Sequence, residues 1–163
     1  MKKFKGFTLV ELIVVIAIIG VLAAILVPNM MGYISKSKLS SANTAAKNVQ
    51  TAVVTWKADQ ESMGKTSTIT AVTTATEPKS TDTGVMGAIY TALAGNSSIG
   101  FVCYGETNAG SSDSVVWAQW GDTDSSAVWG QYPNAQSDYT AFKKYTGKMG
   151  TYVDGTTVTW PTN

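Results

Sequence analysis

The sequence predicts an α+β protein in which a long N-terminal α-helix packs on a small antiparallel sheet of three to four strands. Near the N-terminus, a run of aliphatic residues leads into a stretch whose apolar residues recur at helical spacing. The later part of the chain holds short runs rich in β-branched and aromatic residues, separated by Gly, Ser and Asp clusters. At 163 residues, the chain is long enough for one globular domain and an additional element.

The composition argues against catalysis and against nucleic-acid binding by bulk charge. There is no His, which removes the usual general base and the commonest transition-metal ligand. Because Cys103 is the single cysteine, neither a disulfide within the chain nor a Cys-x-x-Cys metal pattern can form. The 12 basic residues, all Lys, nearly balance the 11 acidic residues, for a formal net charge of +1. We therefore predict that the protein is not an enzyme and uses no cofactor.

The first element is an aliphatic run over residues 7–27 that is long enough to cross a membrane. As a helix, these 21 residues reach about 30 Å, the thickness of the hydrocarbon core of a bilayer. Lys2, Lys3 and Lys5 precede the run and favour a cytoplasmic N-terminus. A secretory signal peptide has a shorter apolar region without an acidic residue. A plain membrane anchor fits the length but leaves Glu11 unexplained.

Glu11 is the ionisable residue inside this run. A carboxylate there is costly in lipid, so it indicates a function and needs a partner. The run contains no basic residue that could pair with it. If the chain is cut between Gly6 and Phe7, the new α-amino group lies four residues before Glu11, about 6 Å along a helix. That amino group, on the same copy or on a neighbouring one, would supply the missing cation.

The stretch KGFTLVELIVVIAIIGVLAAILVPN, residues 5–29, resembles the N-terminus of the type IV pilins and of the type II secretion pseudopilins. The resemblance covers about the first 60 residues, and the Gly-Phe junction, the acidic residue and the proline all fall where that family has them. It implies that a prepilin peptidase removes residues 1–6 as a leader by cutting after Gly6, and methylates the amino group of Phe7. It also implies that Glu11 compensates the N-terminal charge of an adjacent subunit during filament assembly.

On this resemblance, the protein is the precursor of a structural subunit of a type IV pilus, which polymerises into a helical extracellular filament. The implied partners are other copies of the chain, the prepilin peptidase, the pilus assembly machinery and, before assembly, the cytoplasmic membrane, crossed once with the N-terminus in the cytoplasm. Two alternatives stay open. One is a pseudopilin of a type II secretion or DNA-uptake system, and the other, from a different class, is a membrane-tethered adhesin that binds polysaccharide.

The helix is predicted to continue beyond the membrane run and to end near Gly64, which is a stop signal. Residues 28–64 form its amphipathic second half, which needs a sheet to lie on. Pro28 lacks an N–H and is expected to kink or loosen the helix, and Gly20 is a second weak point. Unwinding between the two and close helix packing at Gly20 both stay open. The apolar stripe of the second half consists of Ile34, Ala42, Ala45, Val49, Ala52, Val53 and Trp56.

Residues 65–163 are predicted to form the globular head, in a region where the pilin family is variable. Residues 65–83 are interpreted as a Thr-rich loop, and the apolar residues from Val85 to Leu93 predict a short helix. Three later stretches have strand composition: residues 99–105, 114–121 and 127–132.

The clearest local signal in the head is a hairpin over residues 150–160. Asp154-Gly155 suits a two-residue hairpin turn between β-branched and aromatic residues. In that register one face carries the residues assigned to the core, which are Met149, Val153, Val158 and Trp160.

Asp122 and Asp124 alternate along the chain as in the first half of a calcium-binding loop. However, Ala127 takes the place of the expected glycine, and Pro133 stands where a bidentate Glu is needed. We interpret the pair as a weak metal candidate that belongs to a solvated turn.

Two surface patterns have ordinary explanations. Lys143, Lys144 and Lys148 form a small basic cluster that we interpret as a solvated face, with a nucleic-acid contact left open. The tripeptide at 96–98 matches a glycosylation sequon, a pattern that arises often by chance.

Trp117 and Trp120 have opposite parity on one predicted strand, so they are expected on opposite faces of the sheet. One is expected in the core. The other is either covered by a loop or exposed, where it would suit a sugar, a surface or a subunit contact.

Overall fold

The computed structural model describes residues 7–95, 99–107, 114–123, 128–136 and 149–150. Its elements are α1 (Leu9–Ser62), β1 (Val72–Thr76), α2 (Gly84–Leu93), β2 (Phe101–Thr107), β3 (Val115–Gly121) and β4 (Trp129–Tyr132). The predicted α+β class is confirmed, with a long N-terminal helix and an antiparallel sheet of four strands. The chain divides into two compact units, Met1–Ser35 and Lys36–Asn163, called here the first and second units.

The first unit contains the apolar part of α1. None of its described side chains, from residue 7 to residue 35, is buried. Its large apolar side chains are between 45% exposed, at Val15, and 82% exposed, at Phe7. α1 is long and apolar enough to cross a membrane. A helix that is apolar on every face needs lipid or other helices around it.

Pro28 lies inside α1, and the helix is assigned without interruption across it. Proline has no N–H, so the carbonyl of Ala24 loses its usual helical donor. One residue further on, Asn29 Nδ2 donates a hydrogen bond to the carbonyl of Ile25 at 3.2 Å. Around Gly20 there is open space where a side chain would lie. A kink or local unwinding between Gly20 and Pro28 remains a prediction.

The second unit buries one stripe of α1 against the sheet. The prediction of an amphipathic second half is confirmed, although the stripe differs in membership from the predicted one. Ile34 is 51% exposed and falls in the first unit, whereas Trp56 is only half-buried. Two residues left out of the prediction, Leu39 and Ala46, are fully buried. The buried residues of α1 are Leu39, Ala42, Ala45, Ala46, Val49 and Val53.

α1 ends just before Gly64, as the sequence predicts. Gly64 has a positive φ of 70°, a backbone conformation that suits a residue without a side chain. Its N–H donates to the carbonyl of Glu61 at 2.9 Å, and the N–H of Lys65 donates to the carbonyl of Gln60 at 3.1 Å. This pair of bonds is a Schellman motif, which satisfies carbonyls that the last helical turn leaves without donors.

The four strands pair in sequence order, β1-β2-β3-β4, and every pair is antiparallel. β2, β3 and β4 confirm three predicted strands with shifts of about two residues at their ends, and α2 confirms the short helix.

β1 corrects the prediction that residues 65–83 form a loop. It occupies Val72–Thr76 and pairs with β2 through Val72↔Tyr104 and Thr76↔Val102, with an irregular register between them. Threonine and valine are β-branched and favour strands when a partner is available. The Thr-rich composition was therefore compatible with a sheet edge as well as with a loop.

The two faces of the sheet bury different kinds of residue. The face toward α1 holds Val102, Tyr104, Ala118 and Trp120. They join five buried residues of α1 in one core cluster: Ala42, Ala45, Ala46, Val49 and Val53. At Gly130 the sheet approaches α1 so closely that an added Cβ would lie 2.1 Å from the backbone carbon of Ala42. A side chain at position 130 would therefore force the helix away from the sheet.

Trp117 and Trp120 lie on opposite faces, as the alternation along β3 requires. Trp117 is 5% exposed, and Trp120, which donates from Nε1 to the carbonyl of Ile99 at 2.7 Å, is 9% exposed. Both are buried, so of the two alternatives left open for the second Trp, burial holds and exposure to a sugar or a surface does not.

The face of the sheet away from α1 buries the side-chain amides of Gln119 and Gln131, which together with the half-buried Asn43 on α1 we call the amide network. Gln119 Nε2 donates to Gln131 Oε1 at 2.9 Å, and the N–H of Gly150 donates to Gln119 Oε1 at 2.6 Å. The N–H of Gln131 donates to Asn43 Oδ1 at 3.1 Å. The network therefore connects α1, β3, β4 and the chain at Gly150. Of the predicted hairpin over residues 150–160, all but Gly150 lies outside the described residues.

Candidate assembly site at the N-terminus

Glu11 lies in the first turn of α1 and folds back on the residue that precedes the helix. Its Oε2 accepts two hydrogen bonds from Thr8, one from the backbone N–H and one from the hydroxyl, each at 2.8 Å. In return, the N–H of Glu11 donates to Thr8 Oγ1 at 3.3 Å. Three hydrogen bonds thus join two residues that are three positions apart.

This arrangement is a capping box, in which Thr8 is the N-cap and Glu11 is the third helical residue. The first N–H groups of a helix have no partner within the helix, and the N-terminus carries a partial positive charge. The carboxylate satisfies one of these donors and sits at the favourable end of the helix dipole. The spacing Thr-x-x-Glu before an apolar run is a sequence signal for this motif, which hydropathy alone does not reveal.

The capping box leaves part of the carboxylate available. Both bonds from Thr8 fall on Oε2, and Oε1 accepts no hydrogen bond within the described part of the chain. The backbone nitrogen of Phe7 is the next one along the chain from that of Thr8. Since adjacent backbone nitrogens are less than about 3.7 Å apart, it lies within about 6.5 Å of Oε2. A positive charge on that nitrogen would therefore face an anion already fixed in place.

Of the other predicted site residues, several fall outside the described residues. These are Gly6, Asp124, the basic cluster at Lys143, Lys144 and Lys148, and the sequon at 96–98. Phe7 is exposed, and so is Asp122. Within the described ranges, no group of three or more His, Cys, Asp or Glu residues is arranged to hold a metal ion.

The second unit contains one ion pair between α1 and β2. Lys57 Nζ lies 2.6 Å from Glu106 Oε1, and the hydroxyl of Ser114 donates to the same oxygen. The side chain of Glu106 is only 4% exposed, so its charge needs these donors. The hydrogen bonds from Lys57 and then from Ser114 hold the pKa of Glu106 below its ordinary value. This pair binds the helix to the sheet.

Cys103 is a free thiol that is fully buried in β2. Burial disfavours the thiolate and raises the pKa of Cys103 to about 11. A thiol with so high a pKa is a poor nucleophile at neutral pH, so Cys103 behaves as a small core residue.

Comparison with known proteins finds relatives of the N-terminal segment. Residues 1–27 match the prokaryotic N-terminal methylation motif. A fimbrial protein from Moraxella nonliquefaciens is 49% identical over 55 residues, covering 34% of this chain and 36% of that protein. A type IV major fimbrial protein from Dichelobacter nodosus is 43% identical over 61 residues, covering 37% of this chain and 39% of that protein. A type IV major pilin from Myxococcus xanthus is 52% identical over 48 residues, covering 29% of this chain and 22% of that protein.

The matches span between about a fifth and two fifths of the length of these three relatives. No solved structure matches the chain. The fold and the N-terminal site define a protein that carries a methylation motif on a long apolar helix, followed by a small α+β domain. In its N-terminal segment, the chain is similar to type IV pilins and fimbrial proteins and matches their N-terminal methylation motif.

Proposed function

We propose that this protein is the precursor of a structural subunit of a type IV pilus, and that it polymerises into an extracellular filament after cleavage behind Gly6. The observation that carries the proposal is the methylation motif over residues 1–27, joined to an apolar helix on which no described side chain is buried. A surface that is apolar on every face is stable only in lipid or against other apolar helices. A filament core built from many copies of α1 provides the second environment.

Before assembly, α1 anchors the chain in the cytoplasmic membrane with the N-terminus in the cytoplasm. Three lysines in residues 1–6 favour that orientation. They are also incompatible with an apolar filament core, which explains why the leader has to be removed. Prepilin peptidase is the partner for this step, and the α-amino group of Phe7 is the group that it exposes and methylates.

During assembly, Glu11 neutralises the amino group of Phe7 on an adjacent subunit. The capping box supports this role because it holds the carboxylate in one orientation through Thr8 while Oε1 stays open to a second donor. In an apolar core, an unpaired amino group or an unpaired carboxylate would each be costly, whereas the pair is tolerated. The pilus assembly machinery supplies the work of extracting the subunit from the membrane.

The filament itself performs no chemistry. The relatives named above are described as fimbrial proteins and pilins, and the described residues of this chain hold no catalytic grouping of acid, base and nucleophile. The second unit is then the part of each subunit that gives the filament its surface.

Expression of the chain as the only copy in a pilin-deficient strain tests the proposal. Cells are sheared, and the released fraction is imaged and analysed by intact mass. We expect filaments whose subunit begins at a methylated Phe7. A processed chain that stays in the membrane fraction and never appears in sheared filaments would contradict the role of a pilus subunit.

A further inference from the structure

A groove between α1 and α2 has chemistry that filament assembly does not use. We call it the Trp56 groove. Its volume is about 630 Å³, which is in the range of small-ligand pockets, roughly 300–1,000 Å³. The α1 wall consists of residues spaced three or four positions apart on one helical face, and the α2 wall of a shorter set with the same spacing. The lining is Asn48, Thr51, Ala52, Thr55, Trp56, Asp59, Ala88, Thr91 and Ala92.

Trp56 provides a flat apolar surface in this groove. The side chain is half-buried, so part of the indole is open to solvent. Gly84, the first residue of α2, lies beside the ring, and a Cβ on it would be 4.0 Å from Cζ2 of Trp56. The six-membered edge of the ring is therefore supported by α2. Within the described residues, no hydrogen bond engages the indole N–H.

Polar groups surround this surface and are free to bind a ligand. Asp59, Asn48 and Thr55 are exposed, and their side chains have no hydrogen-bond or ion-pair partner among the described residues. The hydroxyls of Thr51 and Thr91 donate to carbonyls of their own helices, at 2.9 Å and 3.0 Å, so their oxygens remain as acceptors. The groove thus offers donors and acceptors around one aromatic face.

The charge of the groove restricts the class of ligand. Among the described residues that line the groove, Asp59 is the ionisable one and none is a Lys. An anionic ligand would face an unpaired carboxylate without a compensating cation, which disfavours it. A quaternary ammonium ligand is held by several aromatic faces, whereas this lining has one aromatic residue.

From this chemistry we infer that the Trp56 groove binds a neutral saccharide. A sugar ring has an apolar C–H face that stacks on the exposed part of the indole, and hydroxyls that donate and accept at its edge. The Asp59 carboxylate, three residues after Trp56 on α1, accepts hydroxyls of this ring, whereas Asn48, eight residues before Trp56 and about 12 Å away along the helix, contacts a further ring of an oligosaccharide. The inference does not depend on filament assembly, because a subunit that stayed in the membrane would present the same groove.

The test uses the full chain solubilised in detergent and titrated with neutral and charged probes. The neutral probes are the methyl glycosides of glucose, galactose, mannose and N-acetylglucosamine and their β-linked disaccharides. Binding is followed by tryptophan fluorescence and by calorimetry. We expect saturable binding of at least one neutral probe. Asp59→Asn removes a charged acceptor and is expected to weaken that binding by roughly tenfold or more.

Two further variants separate ligand binding from folding. Ala92→Trp fills the groove from an exposed position on α2 and is expected to abolish binding while leaving the fold intact. Glu61→Gln is the matched control for Asp59→Asn, because Glu61 is also on α1 but lines a different groove. It is expected to bind as the wild type does.

Three results would overturn the inference. One is the absence of saturable binding for every neutral probe. Another is an affinity that Asp59→Asn and Ala92→Trp leave unchanged. The third is tighter binding of tetramethylammonium or of sialic acid than of any neutral probe, which would assign the groove to a charged ligand.

Discussion

The two parts of α1 have the same secondary structure and opposite surroundings. Up to Ser35, none of the described side chains is buried, although almost all of them are apolar. From Leu39 to Val53, six residues are buried against the sheet and the remaining face is polar. The backbone is helical in both parts, apart from the donor that is missing at Pro28, so the difference lies in what the side chains contact. The first part depends on a partner outside the chain, and the second part finds its partner within it.

This difference explains where the family likeness is strong. The methylation motif covers residues 1–27, and the longest of the three matches to pilins described above spans 61 residues. An apolar helix that packs on copies of itself must keep a shape and a charge pattern that every copy shares. The second unit packs on its own sheet and is free to vary as long as its core is filled. On the proposed function, the first part of α1 is therefore the part that specifies assembly.

The largest expected effect is the loss of filaments on replacing Glu11 with leucine. The substitution removes the open carboxylate oxygen and the capping box together, while membrane insertion is preserved because a charge is removed from the apolar run. Glu61→Leu, an exposed position in the second unit, is the matched control and is expected to assemble normally. The measurement is filament yield in the sheared fraction, with the membrane fraction assayed for inserted subunit.

Thr8→Ala separates the capping role of Glu11 from its proposed role in neutralising the amino group of Phe7. It removes the hydroxyl bonds of the capping box but leaves the carboxylate, so we expect reduced rather than abolished filament yield. Wild-type yield from Glu11→Leu would show that the carboxylate serves only to cap the helix or is dispensable.

One pair of identical substitutions measures the contrast between the two parts directly. Leu39 is 1% exposed and Leu22 is 54% exposed, on the same helix. Leu39→Ala is expected to lower the free energy of unfolding of the second unit by about 2–5 kcal/mol, whereas Leu22→Ala is expected to leave it unchanged. All five Trp residues follow residue 55, so tryptophan fluorescence in detergent during urea unfolding reports on the second unit alone. Equal effects from the two variants would contradict the division.

A substitution in the amide network is expected to have the next largest effect on the free energy of unfolding. Gln119→Leu leaves the N–H of Gly150 and Oε1 of Gln131 without the partners described here, and we expect a loss of about 1–3 kcal/mol in unfolding free energy. Gln119→Leu combined with Gln131→Leu is expected to cost less than the sum of the single variants, because the pair is removed as a unit. Additive losses in the same unfolding assay would mean that the two amides are not coupled.

The sequence predicted the parts of the fold that depend on local signals. The length of α1, its stop at Gly64 and the short helix α2 each follow from spacing and from one glycine. β1 was missed because its composition fits a loop until β2 lies beside it. The burial of both Trp117 and Trp120 also depends on what covers each face of the sheet, which spacing along one strand does not reveal.

For the candidate site, the sequence predicted which residue matters but not its whole role. The cost of a carboxylate in lipid led to Glu11, whereas the bonds from Thr8 show that the same carboxylate also begins the helix. Trp56 was assigned to the core because it follows the apolar stripe. It lies at the edge of that stripe and lines a groove instead, since α2 covers only one side of its ring.

The smallest expected effect concerns the ion pair between Lys57 of α1 and Glu106 of β2. Its contribution to stability depends on pH in a defined way. The pKa of Glu106 is lowered in the folded protein from an ordinary value of 4.5. A lowered pKa means that the folded state binds the proton more weakly than the unfolded state does. The stabilisation is therefore fully present above pH 4.5 and is lost as the pH falls through the lower, folded-state pKa.

Glu106→Gln is expected to be less stable than the wild type at pH 7, by an amount that shrinks steadily as the pH falls below 4.5. Urea midpoints followed by tryptophan fluorescence across this range give the measurement, and the exposed Glu61→Gln is the control, with little difference from the wild type at any pH. A deficit of Glu106→Gln that stays constant from pH 7 into the acid range would show that its cause is altered packing and not the charge on the carboxylate.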